Sequence, residues 1–139
     1  PLGLVLLVLV EEPQVQRVLD GPQILEMRKT VRAVPIARPV QEYAIRIMMA
    51  THPNTDLSHG LTNKYVRCGA SPRSAQAMII GAKIRALLGN RVYVSNEDIR
   101  SVALGALRHR ILLSFEGEAE RIDPDFILKG ILESTPEPS

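Results

Sequence analysis

The stretch "GASPR", residues 69–73, brings an arginine to the first turn of a predicted helix. Ser71 is a typical N-cap residue, and Pro72 suits the first helical position because its missing N–H costs nothing there. Free N–H groups and the helix dipole make this end positive, so it favours anions. A guanidinium adds a planar fork of donors for phosphate. The spacing indicates anion capture by Arg73, or else a solvated or salt-bridged surface arginine.

Two motifs that would make the chain catalytic are missing from the sequence. No G-x-x-x-x-G-K-[ST] stretch occurs, and "GAK" at residues 81–83 is followed by Ile84 in the middle of a predicted helix. In "GASPR", Arg73 stands where the nucleophile elbow G-x-S-x-G needs glycine, so Ser71 is interpreted as a cap. No catalytic residue is therefore predicted, and this chain alone is not expected to hydrolyse ATP.

Histidine and cysteine offer little further chemistry. His52, Asp56 and His59 fall in a polar segment, and their spacing matches no standard metal site, so no metal ligand is predicted. The single cysteine, Cys68, excludes an internal disulfide and fits a reducing compartment such as the cytoplasm. Because the sequence places no activating base beside it, Cys68 is predicted to be a small packed side chain.

Composition favours a helical protein. The chain has 139 residues, enough for one domain with a hydrophobic core. Aromatic residues make up 4% and Trp is missing, so aliphatic side chains must fill the core, which favours close-packed helices. A net charge of +2 is too small to require a nucleic-acid partner. The apolar run at residues 1–10 is shorter than the roughly 20 residues that a membrane-spanning helix needs.

Hydrophobic periodicity and helix-start signals predict five helices. Their limits are residues 22–34, 39–52, 71–88, 95 to about 108–110, and 124–132. Asp20 is expected to cap the first helix, and Ser95 with Asp98 is expected to form a capping box at the fourth. Gly81 and neighbouring small residues should let another backbone approach the third helix closely. The predicted core-facing side chains of the first and last helices are Ile24, Leu25, Met27, Val31, Phe126, Ile127 and Ile131.

The segments between these helices are predicted to be irregular or extended. Residues 53–68 are interpreted as a loop with a short extended piece at 65–68, and residues 91–94 as a second extended segment. The fold class is thus mainly α, a small helical bundle with a short N-terminal strand and minor extended segments. Residues 1–12 form the apolar strand, 13–133 the helical domain, and 134–139 a disordered tail.

Residues 18–122 closely resemble the C-terminal lid of MoxR-type AAA+ ATPases. The resemblance is carried by "GASPR", by the helix start "VSNEDI" at residues 94–99 and by the helix end "LRHR" at residues 107–110, in the family's order and spacing. It implies an AAA+ lid, with the strand at residues 1–12 as a remnant of the nucleotide-binding domain. The chain would then be a lid separated from its P-loop half.

The resemblance also implies a site and partners. Arg73 would be the sensor 2 arginine that contacts the γ-phosphate of ATP, with Ala70, Ser71 and Pro72 beside it. ATP and Mg²⁺ would be bound mainly by a P-loop domain of the same or a neighbouring subunit. The full protein would form a hexameric ring with chaperone-like remodelling activity, often beside a von Willebrand factor A protein.

Two other functions are compatible with the residues alone. A stand-alone helical module could bind a partner protein or nucleic acid, although the Ala-, Gly- and Ile-rich centre of the third helix suits packing better than groove reading. The small-residue helix and the apolar N-terminus could instead drive self-association. The first of these is the main alternative to the lid.

Overall fold

The computed structural model describes residues 15–138. This part of the chain contains seven helices and one two-stranded sheet. In chain order they are α1 (Gly21–Ala33), α2 (Arg38–Ala50), α3 (Gly60–Tyr65), β1 (Val66–Cys68), α4 (Pro72–Leu88), α5 (Asn96–Leu107), β2 (Leu112–Leu113), α6 (Phe115–Ala119) and α7 (Pro124–Ser134). The predicted mainly α class is confirmed, whereas the strand predicted at residues 1–12 lies outside the described residues. No helix between residues 15 and 138 is long and apolar enough to cross a membrane.

Local capping signals fix where the helices begin. Asp20 caps α1 by accepting the Gln23 N–H at 2.9 Å, and the Gln23 side chain accepts the Asp20 N–H in return. Ser95 and Asp98 form the same reciprocal arrangement at the start of α5. Each box satisfies N–H groups that the first turn of a helix leaves without partners. Both predicted caps are confirmed.

Helix α4 is the centre of the bundle and packs against α1, α2 and α5. Its buried side chains are small or flexible and include Ala75, Met78 and Ala82. A Cβ added at Gly81 would lie 3.3 Å from a methyl group of Val102 in α5. Such a contact is tighter than ordinary packing, so the absence of a side chain at Gly81 lets α5 lie close to α4. The predicted close approach of a neighbour is confirmed.

Helix α1 differs from its prediction. None of its side chains is buried, and Ile24, Leu25 and Met27 are 48%, 55% and 52% exposed. Only Val31 is half-buried. The burial predicted for Ile24, Leu25 and Met27 is therefore wrong, because α1 lies along one side of α4 and no other described element covers its outer side. Ile127 and Ile131 of α7 are buried as predicted, whereas Phe126 is exposed.

The segment predicted as a loop contains a helix. Residues 60–65 form α3, and its cap is His59, whose Nδ1 accepts the Leu61 N–H at 3.1 Å. Strand β1 follows at once and pairs antiparallel with β2, with Val66 opposite Leu113. Cys68 lies on β1 and is exposed, so its predicted burial is wrong. Residues 91–94 form a bend without strand pairing, which corrects the extended segment predicted there.

The end of the described chain is tied to the bundle through Arg100 of α5. The guanidinium donates to the Leu132 carbonyl at 2.8 Å and to the Tyr43 hydroxyl at 2.9 Å. It also lies 3.9 Å from the Glu137 carboxylate, and the Asn96 amide donates to Glu137 at 3.3 Å. Helix α7 thus has polar contacts to α5 as well as apolar burial. The predicted disorder of residues 134–139 stays a prediction.

Candidate functional site

The N-terminus of α4 is built by the turn that precedes it. Ser71 occupies the N-cap position with an extended backbone, and Pro72 is the first helical residue, as predicted. The Ser71 hydroxyl nevertheless makes no hydrogen bond to the first turn, so the cap has the right residue and backbone without the expected side-chain bond. The first turn contains no acidic residue. The positive end of the helix is therefore not neutralised locally.

Arg73 lies on this first turn and is exposed. Within residues 15–138, no carboxylate oxygen lies within 4.0 Å of its guanidinium. Arg91 and Arg108, by contrast, pair with Asp98 at 2.6 Å and Asp125 at 2.9 Å. An unpaired cation beside an acid-free helix end is suited to an anion with several oxygens, such as a terminal phosphate.

The other three predicted site residues differ in exposure. Ser71 and Pro72 are exposed beside Arg73, so both can lie at a surface that meets a ligand. Ala70 is fully buried, and its N–H donates to the Thr51 hydroxyl at 2.9 Å. That donor is therefore already used, and Ala70 belongs to the framework of the turn.

Two residues at the C-terminal end of α2 contact this turn, and no sequence pattern indicates that they belong to the site. Thr51 is the C-cap of α2, and the ring of the next residue, His52, lies against Gly69. A Cβ added at Gly69 would be 2.7 Å from both the Thr51 carbonyl oxygen and His52 Cγ. Only glycine allows such an approach of two backbones. A glycine and a buried threonine far apart in sequence give no local signal of this contact.

The opposite end of α4 is held by a charged pair. The Arg91 guanidinium donates to both oxygens of Asp98, at 2.7 and 2.6 Å. Asp98 also accepts from the N–H and the hydroxyl of Ser95, each at 2.9 Å. The Arg91 hydrogen bonds are the main cause that lowers the pKa of Asp98 from 3.8 to about 2. Burial is the next-largest effect and opposes the shift, and the two Ser95 bonds lower the pKa further. This pair fixes the connection between α4 and α5.

A second charged cluster joins α3 to α6. Lys64 Nζ donates to the Tyr65 hydroxyl at 2.8 Å and lies 3.3 Å from Glu116 and 3.6 Å from Glu120. The Tyr65 hydroxyl donates to Glu120 at 2.9 Å. The hydrogen bond to Tyr65 is the largest cause that raises the pKa of Lys64, followed among the raising causes by its two carboxylate partners. These charges satisfy one another on the surface, where ion pairs add little stability.

The two histidines of the polar segment between residues 52 and 59 make local structural contacts. His52 Nδ1 lies 3.2 Å from the Met48 carbonyl oxygen, and His59 caps α3. Asp56 is exposed. Among the side chains placed between residues 15 and 138, no three from His, Cys, Asp and Glu come together as metal ligands.

Comparison with known proteins identifies the family. The model of the AAA lid domain matches residues 59–131, which is more than half of the chain. The chain belongs to the AAA lid domain family. The match begins at the cap of α3, includes the turn before α4 and ends within α7.

Relatives extend the likeness of this AAA lid domain to α1 and α2. Chaperone MoxR1 of Mycobacterium tuberculosis is 27% identical over 125 residues, covering 90% of this chain and 33% of that protein. Protein MoxR of Methylorubrum extorquens is 35% identical over 78 residues, or 55% of this chain and 22% of that protein. The resemblance to the C-terminal lid of MoxR-type AAA+ ATPases is thereby confirmed.

A solved structure shows the same fold. The crystal structure of a proposed ATPase from Cytophaga hutchinsonii, at 2.00 Å resolution, superposes with a TM-score of 0.82 and 32% identity. The match covers 95% of this AAA lid domain and 40% of that chain. The chain thus spans about a third of the M. tuberculosis relative and less than half of the solved protein.

Proposed function

We propose that this chain is the nucleotide-responsive lid of a MoxR-type AAA+ ATPase, with Arg73 as a sensor 2 residue that contacts the γ-phosphate of ATP. The observation that carries the proposal is the exposed guanidinium on the acid-free first turn of α4, which has no carboxylate partner among residues 15–138. The positive end of a helix repels a cation, so a phosphate partner gives a physical reason for the position of Arg73. Membership of the AAA lid domain family supplies the setting in which ATP is near.

The residues present fit one part of a nucleotide site. Arg73 provides a cation for the terminal phosphate, whereas the sequence has no phosphate-binding loop. ATP and Mg²⁺ would be held mainly by a P-loop domain of the same or a neighbouring subunit. Arg73 then joins the lid to that domain while the γ-phosphate is present, and loss of this anion frees the guanidinium. Hydrolysis is in this way coupled to rotation of the lid.

The wider setting of the proposal comes from the family resemblance. The M. tuberculosis relative is named a chaperone, which supports a role in remodelling or assembling protein complexes. A ring of six subunits in the cytoplasm and a von Willebrand factor A partner belong to the same proposal.

The main alternative, a stand-alone module that binds nucleic acid or protein through α4, has less support. Helix α4 packs against three other helices, and its middle is buried at Met78 and Ala82. A recognition helix that enters a DNA groove needs a long exposed face. In a DNA-binding titration, a steep dependence of affinity on salt concentration would favour this alternative.

The decisive experiment replaces Arg73 with Ala in the polypeptide that carries this lid together with its P-loop domain. ATP hydrolysis should fall by about 10- to 100-fold, the effect of removing a charge-assisted hydrogen bond from the reacting state. The matched control is Arg85→Ala, because Arg85 is another exposed arginine of α4 that lies in its last turn. Circular dichroism should show that both variants remain folded.

The proposal fails if the Arg73 and Arg85 variants hydrolyse ATP at the same rate. It also fails if Arg73→Ala slows turnover only because the lid melts at a lower temperature than it does in the control. Saturating ATP should raise the melting temperature of the wild type and of Arg85→Ala more than that of Arg73→Ala.

A further inference from the structure

The turn before α4 is fixed by a side chain of another helix. Thr51, at the end of α2, is completely buried. Its hydroxyl donates to the Met48 carbonyl at 2.6 Å and accepts the Ala70 N–H at 2.9 Å. The first bond orients the hydroxyl, so its lone pair is directed at Ala70. Because Ala70 is also buried, this N–H has no water to replace the threonine oxygen.

Backbone packing reinforces this hydrogen bond. The Thr51 carbonyl and the His52 ring both lie 2.7 Å from the point where a Cβ of residue 69 would be. Gly69 is therefore pressed directly against the end of α2. Residues 69 and 70 are held on two sides, by a hydrogen bond and by contact, and cannot shift without breaking both.

On the other side of Arg73, the buried side chains of Ser74 and Ala75 hold the start of α4 in the bundle. The Ser71 hydroxyl does not cap the helix, although the Ser71 carbonyl accepts the Ser74 N–H at 2.8 Å. Pro72 restricts its own φ angle, so the chain between Ala70 and Arg73 has little freedom of its own. The position of Arg73 is consequently set from both sides, by where Ala70 is held three residues earlier and by the burial of Ser74 and Ala75.

We propose that Thr51 is a positioning residue for Arg73: its hydroxyl holds the Gly69–Ala70 turn so that the first turn of α4 presents the guanidinium in one place. This inference rests on the proposed sensor function of Arg73. A displacement of about 1 Å at a reacting group can cost about 100-fold in rate. A contact that never touches the nucleotide can therefore govern hydrolysis.

The chain offers a closely matched control. Thr62 is likewise completely buried, and its hydroxyl donates at 2.8 Å to the Ala50 carbonyl, also at the end of α2. It makes no hydrogen bond to the turn before α4 among the described residues. Thr51→Val and Thr62→Val remove the same group at equal burial, and only the first affects the support of Arg73.

The first measurement tests the contact itself, by amide hydrogen exchange on the full chain. Thr51→Val should speed exchange at Ala70 by at least about tenfold, since a buried N–H loses its acceptor, whereas Thr62→Val should not. Thr51→Ser keeps the hydroxyl and should restore protection. Equal exchange at Ala70 in the two valine variants would overturn the proposed anchoring.

The second measurement tests the consequence, in the polypeptide that carries the P-loop domain. Thr51→Val should lower ATP hydrolysis about tenfold relative to Thr62→Val, and Thr51→Ser should behave as wild type. Adding Thr51→Val to Arg73→Ala should cause little further loss, because the residue being positioned is already gone. A purely structural role of Thr51 would instead lower activity by the same factor in both backgrounds.

The outcomes separate the two proposals. If Arg73→Ala lowers hydrolysis but Thr51→Val matches Thr62→Val, the positioning role is overturned and the sensor function stands. If Arg73→Ala has no effect, the sensor function fails and the positioning role fails with it. Loss of activity in Thr51→Ser equal to that in Thr51→Val would also overturn the role of the hydroxyl.

Discussion

Replacement of Asp98 with Asn should destabilise the protein in a way that depends on pH. Asp98 is 4% exposed and its carboxylate accepts two hydrogen bonds from Arg91 and two from Ser95. Asparagine keeps the shape of the side chain but removes its charge and one acceptor oxygen. The change therefore tests the charged pair at the junction of α4 and α5 with little change in packing.

The shift in the pKa of Asp98 sets the size of the effect. The folded pKa, about 2, lies below the ordinary value of 3.8. Each unit of difference corresponds to about 1.4 kcal/mol, so the charged form stabilises the fold by about 2–3 kcal/mol. Arg91 is one-third exposed, and solvent screening makes this an upper estimate. Because the folded pKa is depressed, the contribution is fully present above about pH 4 and is lost as the pH falls towards about 2.

Thermal and urea unfolding of the full chain would measure this contribution. At about pH 7, Asp98→Asn should unfold at a temperature about 5–10 °C below the wild type. The difference should shrink steadily between about pH 4 and about pH 2. Glu97→Gln, an exposed neighbour in the same helical turn, should cost less than about 0.5 kcal/mol. A difference between wild type and Asp98→Asn that is equally large at both ends of the pH range would refute the reasoning.

Three further substitutions test the packing of two glycines and the hydrogen bond of Arg100. Gly117→Ala should destabilise the fold by about 1–3 kcal/mol in urea unfolding, because the new Cβ would lie 2.7 Å from the Tyr65 carbonyl oxygen. Gly105→Ala meets nothing within 4 Å and should instead stabilise α5 by about 0.5–1 kcal/mol, so equal effects of the two changes would contradict this account. Arg100→Met removes a donor from the Leu132 carbonyl and should speed hydrogen exchange near the end of α7 about tenfold; unchanged exchange there would show that apolar burial alone holds this helix.

Local chemistry made the long helices predictable. In the capping box of α5, Ser95 and Asp98 are three residues apart, and at the start of α4, Ser71 and Pro72 are adjacent. Each of these signals is local in sequence, so it does not depend on the rest of the fold. The short helices α3 and α6 have six and five residues, too few to show a 3.6-residue period. A histidine cap at α3 gave no recognised start signal either.

Burial was less predictable than helix formation. The apolar periodicity of α1 correctly predicts a helix, but periodicity does not reveal which element covers the apolar face. Ile24 and Met27 are exposed because, among the elements between residues 15 and 138, α1 packs mainly against α4. Cys68 was expected inside on its residue type, whereas its position on a two-stranded sheet leaves it exposed.

The sequence predicts the candidate site only in part, because one of its features is local and others depend on the fold. The position of Arg73 on the first turn of a helix follows from the adjacent Ser71 and Pro72. That Arg73 has no carboxylate partner among the described residues depends on the three-dimensional positions of carboxylates distant in sequence, which the local pattern does not reveal. The Thr51 contact joins residues 19 apart, and a threonine at a helix end has several other common roles.

The exposure of α1 has a consequence for how this domain tolerates substitution. Since no side chain of α1 is buried, its outward positions are released from the constraint that holds α2, α4 and α7 to fixed sizes. Substitutions can accumulate there at almost no cost in folding free energy. In unfolding experiments on this chain, this flank of the lid is therefore expected to tolerate substitution better than the buried faces of α2, α4 and α7.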